Sequence, residues 1–346
     1  MKIKSVTKYV GIPTLIIAVF WLFILILGPF TGISLNSMLS DAVRRFGMNA
    51  IMTLAMVPAI QSGTGPNFAL PVGLICGLFA MVCAIEFGFL GLNWLLASFV
   101  MAASFAAALG FVYGKMMNAV KGSEMTIATY TGFSISAFMC LVWLMVPFKN
   151  PKMGWFMGTG LRETIQLKEV GGAQILSGFL EFSAFGVNIP TGNLAVFAAF
   201  CLLVWLFFRS RAGIAISAGG ISPMFARSSG IDTDKARVMA NMLSTMLGAL
   251  GIIVYAQTYG FIQLYNAPRD MAFPAVAAVL VGGATARRAK ISHVVIGTLL
   301  FQGLLATAPA VANRIFEGTD LSEIMRMIVQ NGIILYALTQ VKGGDQ

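Results

Sequence analysis

Along the chain, long apolar stretches alternate with short polar gaps, and no polar stretch is long enough to make a separate soluble domain. A helix needs about 17–25 largely apolar residues to cross a bilayer. Ten stretches meet or approach that length: residues 10–30, 46–61, 67–86, 92–114, 126–148, 193–208, 237–258, 271–283, 291–312 and 323–341. Backbone in lipid must satisfy its own hydrogen bonds, so the pattern predicts an all-α polytopic membrane protein. About ten transmembrane helices are expected, in one domain covering residues 1–346. No secretory cleavage pattern follows the first stretch, which is therefore read as a membrane helix. The second and eighth stretches are short and are broken by proline and glycine at one end. Either such interrupted segments line a solute route, where exposed backbone is tolerated, or their helices begin earlier, in the polar flanks.

Composition agrees with the pattern. Hydrophobic residues make up 58% of the chain and charged residues 10%, against roughly 25% charged in a soluble domain. The net charge of +10 does not point to nucleic acid, because the basic residues are scattered in short loops. Their distribution points instead to orientation. With Lys2, Lys4 and Lys8 in the cytoplasm, 14 of the 23 basic and four of the 13 acidic residues fall inside. The outer side then carries nine of each sign, so the asymmetry predicts that both termini are cytoplasmic. Arg44 and Arg45 fit less well, because they fall outside next to the second stretch. The one large external region is 149–192, with Pro151, Trp155, Arg162, Glu163, Lys168, Glu169 and Glu181, a surface for an external partner. Cys76, Cys83, Cys140 and Cys201 lie in apolar runs without metal-ligand spacing and are read as small core residues.

A weak internal repeat is visible. Asn49–Thr53, Gln61–Gly65 and Pro66–Val72 are echoed by Asn241–Thr245, Gln257–Gly260 and Pro268–Val276. On the charge-derived topology the copies run in opposite senses, and an inverted repeat places the solute route between them. The residues expected to line that route are Asn49, Gln61, Ser62, Asn67 and Phe68, with Asn241 and Gln257 from the second copy. Amides and hydroxyls both donate and accept, which suits a small neutral, hydroxyl-rich solute. The competing role for the amides is to join helices across the bundle.

Covalent chemistry finds no support. His293 is the only histidine, no P-loop lysine follows Val281–Thr285, and no catalytic set can be assembled. The residues therefore give no sign of an enzyme or of a cofactor held by this chain. Glu86 reads as a helix end beside an external loop, and Arg326 as a snorkelling or locally paired residue near a helix start. An ion-coupled carrier usually needs intramembrane acids, and their scarcity points to energy supplied from outside the chain. Residues 209–236 form a basic, polar island between apolar stretches. Within it, Ser222 reads as an N-cap, Pro223 as the first helical residue and Gly230 as the stop. Met224, Phe225 and Arg227 are the side chains expected to dock on a soluble partner.

These residues carry a resemblance. Arg211-Ala-Gly-Ile-Ala-Ile-Ser-Ala-Gly-Gly-Ile-Ser-Pro-Met-Phe-Ala-Arg227-Ser-Ser-Gly-Ile-Asp232 resembles the R-x-G-x-x-x-x-A-x-G-x-N-x-x-A-x-x-x-G-I segment of permease subunits in ABC importers for ribose-type simple sugars. That family includes nucleoside and autoinducer-2 permeases and is related to branched-chain amino acid permeases. Ala275-Val-Ala-Ala-Val-Leu-Val-Gly-Gly-Ala-Thr285 resembles its I-A-A-V-V-L-G-G-T-S, and the likeness spans most of residues 46–340. Two departures stand out. Ser62–Gly73 lacks the acidic residue of the family's S-G-G-I-D-L-S-V-G, and Ser222 stands where asparagine is common. The resemblance implies a multi-pass subunit in the cytoplasmic (inner) membrane of a prokaryote. It implies a second permease subunit, identical or sister, and two cytoplasmic ATPase subunits that carry ATP and Mg. It further implies an external solute-binding protein and a coupling role for residues 209–236, with Ser222–Gly230 at its centre.

Overall fold

The computed structural model describes residues 11–155, 160–179, 182–184, 186–315 and 322–342. Lys2, Lys4, Lys8, Glu181 and Asp345, which entered the charge reading, lie outside the described residues. The chain is mostly helical. In order come α1 (Ile12–Phe30), α2 (Leu35–Leu54), α3 (Met56–Gln61), α4 (Leu70–Glu86), α5 (Gly91–Ala119) and α6 (Glu124–Met145). The strand β1 (Thr164–Gln166), a 3-10 turn at Leu167–Val170, and β2 (Phe182–Ala184) with β3 (Val187–Ile189) follow. Then come α7 (Thr191–Arg209), α8 (Arg211–Ile221), α9 (Pro223–Ser228), α10 (Thr233–Tyr259), β4 (Phe261–Gln263), α11 (Ala267–Val281), α12 (Ile291–Ile315) and α13 (Ser322–Lys342).

The expected helical fold holds, with two additions to the sequence reading. β2 and β3 form an antiparallel ribbon and β1 pairs antiparallel with β4, Ile165 facing Ile262. Strands of three residues are too short to leave a period-two signal. The second and eighth helices are also longer than their apolar cores. The second begins at Leu35, capped by the Ser34 hydroxyl, which accepts from Ser37 N at 3.2 Å, and the eighth begins at Ala267. The first turns of α2 carry Ser37, Ser40, Asp41, Arg44 and Arg45, polar residues that a search for lipid-facing sequence passes over.

Among the described residues, five helices, α5, α6, α7, α10 and α12, are long and apolar enough to cross a membrane. Leu96 and Val100 of α5, Phe138 and Leu141 of α6, and Leu202 and Leu203 of α7 are exposed apolar side chains, the surface expected toward lipid. The windows of α10 and α12 are mostly buried, which places these two helices at the centre. At 1.5 Å per residue, the 27 residues of α10 run about 40 Å, longer than a hydrocarbon core of about 30 Å.

Small residues let the central helices meet closely. Gly73 and Gly77 of α4 lie against the Thr245 and Ala249 carbonyls of α10, and a Cβ there would collide with them. On another face of α10, a Cβ at Gly110 of α5 would stand 2.9 Å from Met242 Cα, and one at Gly114 2.8 Å from Val238 Cα. Both are glycine pairs four residues apart, the spacing that puts small residues on one stripe of a helix. α2 packs against α10 in the opposite chain direction, with Arg44 near Thr258, Met52 near Gly251 and Ala55 near Ser244. The two helices share a local motif. Asn49 Nδ2 donates to Arg45 O and Thr53 Oγ1 to Asn49 O; Asn241 Nδ2 donates to Arg237 O and Thr245 Oγ1 to Asn241 O.

The bundle has two unlike ends. At one, Lys121 Nζ meets Asp234 Oδ1 at 2.5 Å, Arg237 meets Glu124 at 2.6 Å, and Asn118 donates to Asp234 O. At the same end Gln61 bonds Ser217 and Ala289 O, so the loops near 118–124, 209–237 and 287–290 gather there. Lys115 lies over Phe111 and Arg209 over Trp205, with their charged heads beside aromatic rings. At the other end, Glu86 accepts from Lys149 N and Asn150 N, and Gln257 ties α10 to residues 174–176.

Candidate functional site

A cavity of about 690 Å³ opens among α2, α10, α11, α12 and α13. Asp41, Arg44, Arg45 and Asn49 share one face of α2 because they are spaced at three, four and eight residues. Asp270 and Pro274 face them from α11, Gln302 and Pro309 from α12, and Arg326 and Gln330 from α13. Tyr255 and Tyr259 contribute from α10, their rings 5.4 Å apart. Gln263 of β4 also lines the cavity and pairs with Thr164, so the mouth lies at the end that carries residues 149–192.

Two helices of the wall carry an internal proline, Pro274 in α11 and Pro309 in α12. A helical proline frees the carbonyl four residues earlier, here that of Asp270 or Leu305, and both of these residues line the cavity. Loosened backbone at this depth is tolerated where it faces water rather than lipid. Arg44 donates to Thr258 O at 3.4 Å. Gln302 is only 6% exposed. No hydrogen bond joins its amide to another described residue, so that amide has the cavity to turn to.

Of the residues expected to line a route, Asn49 lies on this wall. The others sit among protein partners. Gln61 donates to Ala289 O at 2.7 Å and accepts from Ser217 at 3.1 Å, while Ser62 bonds Ala59 O and Thr64. Asn67 donates to Ser244 at 2.8 Å and accepts from Tyr113 and Ala69 N; Ser244 in turn caps Ala55 O, where α2 breaks before α3. Phe68 stacks near Phe273, ring centres 5.8 Å apart. Asn241 bonds its own helix, and Gln257 holds Asn193, Thr258 and Leu176 N. Sequence reasoning missed the charged part of the wall. The available signal was Arg44 and Arg45, the pair that fitted the external assignment poorly.

At the basic end, α9 begins as its residues dictate. Ser222 Oγ accepts from Phe225 N at 3.4 Å, Pro223 takes the first turn, and Gly230 ends it at φ +81°. Met224 and Phe225 are 84% and 68% exposed, an apolar pair held out from the bundle. Arg227 is exposed but lies along the start of α10: Nε donates to Thr233 Oγ1 at 3.0 Å and the guanidinium lies 3.8 Å from Asp234, which joins α9 to α10. Asp232 caps α10, and the Lys235 N–H it accepts holds its carboxyl below the usual range. Gly220 of α8 lies so close to Gln61 O that a Cβ would collide, so α8 is pressed directly on the end of α3.

An apolar helical bundle with a polar cavity at one end and an exposed apolar pair at the other is the architecture of a multi-pass membrane protein. Residues 38–338 match the family described as the permease component of the branched-chain amino acid transport system, and the chain belongs to that family. It is similar to the autoinducer 2 import system permease protein LsrC of Yersinia pseudotuberculosis serotype O:1b (strain IP 31758), 27% identical over 245 residues. That match covers 69% of this chain and 60% of the relative, so it spans less than two thirds of the relative's length. A solved ABC transporter in an inward-facing conformation is similar over 94% of this chain and 98% of its own, with 14% identity and a TM-score of 0.48. The resemblance to simple-sugar-type ABC permeases read from residues 211–232 and 275–285 therefore stands.

Proposed function

We propose that this chain is the transmembrane subunit of an ATP-driven importer that moves a small, hydroxyl-rich solute of the simple-sugar class inward across a prokaryotic cytoplasmic membrane. The basic end faces the cytoplasm and both termini lie there, with ten crossings. Two ATPase subunits, which hold ATP and Mg, a second permease subunit and an external solute-binding protein complete the machine. A nucleoside or autoinducer-2-like solute is the alternative cargo within the same family. The ion-coupled carrier is disfavoured by family membership rather than by scarcity of acids, since Asp41 and Asp270 do line the cavity. Asn49 meets solute in the present state. Gln61, Ser62, Asn67, Phe68, Asn241 and Gln257 reach it only when the helices they now join separate during the transport cycle.

The observation that carries the reading is the exposed Met224–Phe225 pair on a capped, rigid helix at the basic end. Each ATPase subunit receives that pair in a groove, while Arg227 transmits its displacement to α10 through Thr233 and Asp234. Met224→Ser with Phe225→Ala should leave membrane insertion intact and abolish solute-stimulated ATP hydrolysis in reconstituted vesicles. Arg227→Glu should keep ATPase binding and lose the stimulation. Unchanged stimulation in the double variant overturns the docking assignment.

A further inference from the structure

The cavity wall is layered, and the layering carries information about the solute. On α2 the charged Arg45 precedes Asn49 by one turn toward the depth of the bundle, about 6 Å. On α13 Arg326 precedes Gln330 in the same way, and on α11 Asp270 precedes Pro274. On α12, which runs in the other direction, Gln302 lies two turns deeper than Pro309. Charges therefore ring the mouth and neutral amides form the floor. Three guanidinium groups, from Arg44, Arg45 and Arg326, face two carboxylates, from Asp41 and Asp270, so the ring holds an excess of one positive charge. Neither the Asp41 carboxylate nor the Arg45 guanidinium has a hydrogen bond or ion pair with another described residue, and the Arg44 guanidinium is engaged by a long bond to Thr258 O. On the floor, the nearly fully buried Gln302 amide has no described partner, and Asn49 uses Nδ2 on Arg45 O, which leaves its carbonyl oxygen to the cavity. A buried amide without a partner is destabilising, so a floor of this kind is stable when water or solute completes it.

We infer that the cavity binds a solute with one carboxylate and a hydroxylated body, a sugar-acid type of molecule. Its carboxylate sits at Arg44 and Arg45, and its hydroxyls sit on Asn49, Gln302 and Gln330. Arginine forks match carboxylate geometry with two parallel hydrogen bonds. A single negative charge cancels the excess on the ring, whereas a doubly charged phosphate would reverse it. The volume of about 690 Å³ lies within the ~300–1,000 Å³ of small-molecule sites, enough for such a solute with some water. The inference deepens the importer reading and rests on it for the direction of transport; binding to the cavity does not depend on that reading.

The test uses the full chain purified in lipid nanodiscs, with matched probes that differ in the carboxylate: glucuronate against glucose, and gluconate against sorbitol. The acids should bind at least tenfold more tightly than their uncharged partners, measured by calorimetry at low salt. Arg45→Gln should erase most of that difference, Asp41→Asn should tighten the acids, and Gln302→Leu should weaken acid and neutral probes alike. Equal binding of acids and neutral partners, or no binding of any probe, overturns the inference. So does an acid preference that survives Arg44→Gln with Arg45→Gln. Failure of the importer reading would show elsewhere, as loss of ATP-driven uptake into vesicles that contain the ATPase while the nanodisc binding persists.

Discussion

Asn67 illustrates what a polar residue inside an apolar stretch can mean. It holds Ser244, Tyr113 and Ala69 N together at the break between α2 and α3, and it is 2% exposed. Asn67→Ala would strand the Tyr113 hydroxyl and the Ala69 N–H in a buried place, at about 1–3 kcal/mol for each group. The thermal midpoint of the purified protein should fall while the solute preference of the remaining active fraction stays the same. A changed preference with an unchanged midpoint would put Asn67 on the route instead. Asn49 and Asn67 each stand at the head of an apolar run, and the sequence alone does not separate their roles. Only the tertiary neighbours separate an amide satisfied by protein from one that faces a cavity. Arg44 and Arg45 were legible in a negative sense: a charge pair that disagrees with the topology it sits in marks a place where the helix faces a water-filled cavity.

At the scale of elements, all ten apolar stretches coincide with helical segments, since each element in lipid must close its own hydrogen bonds. What hydropathy misses follows from what it measures. It registers the side that faces lipid, so the polar start of α2, directed at the cavity, falls below its threshold, as do the short ribbons over residues 164–189. The capped helix at Pro223–Ser228 was legible because Ser, Pro and Gly each act locally. Close helix contact was hidden among 37 glycines until the partners were seen. Gly73 and Gly77 decide how near α4 comes to α10. Gly73→Leu should force the two helices apart, expose their seam to detergent and sharply reduce the yield of folded protein on size-exclusion chromatography. Gly332, around which no atom lies within 4 Å of an added Cβ, is the control for a glycine in open space; Gly332→Ala should leave the yield unchanged.

For the whole molecule, the separation of the two ends is the feature on which orientation turns. Lys121 is joined to Asp234, and Arg237 to Glu124, at one end of α10. Residues 164–176 are joined to Gly260, Gln263 and Gln257 at the other, a helix length of about 40 Å away. The end near Lys121 also receives the loop at 287–290 through Gln61, so the basic loops that charge counting assigned together are physically together. Positive loops stay on the cytoplasmic side during insertion, which gives the assembly its sense in the membrane. On the proposed orientation, with the basic end in the cytoplasm, the cavity would open outward, toward an external binding protein, and Met224 and Phe225 would project inward, where ATP is available. Single cysteines at Lys121 and Lys168, in a background with Cys76, Cys83, Cys140 and Cys201 replaced, test this in intact cells. An impermeant maleimide should label Lys168→Cys at once, and Lys121→Cys only after the membrane is opened. Labelling of Lys121→Cys in sealed cells would invert the molecule, put the cavity on the inside, and remove the reason for an importer.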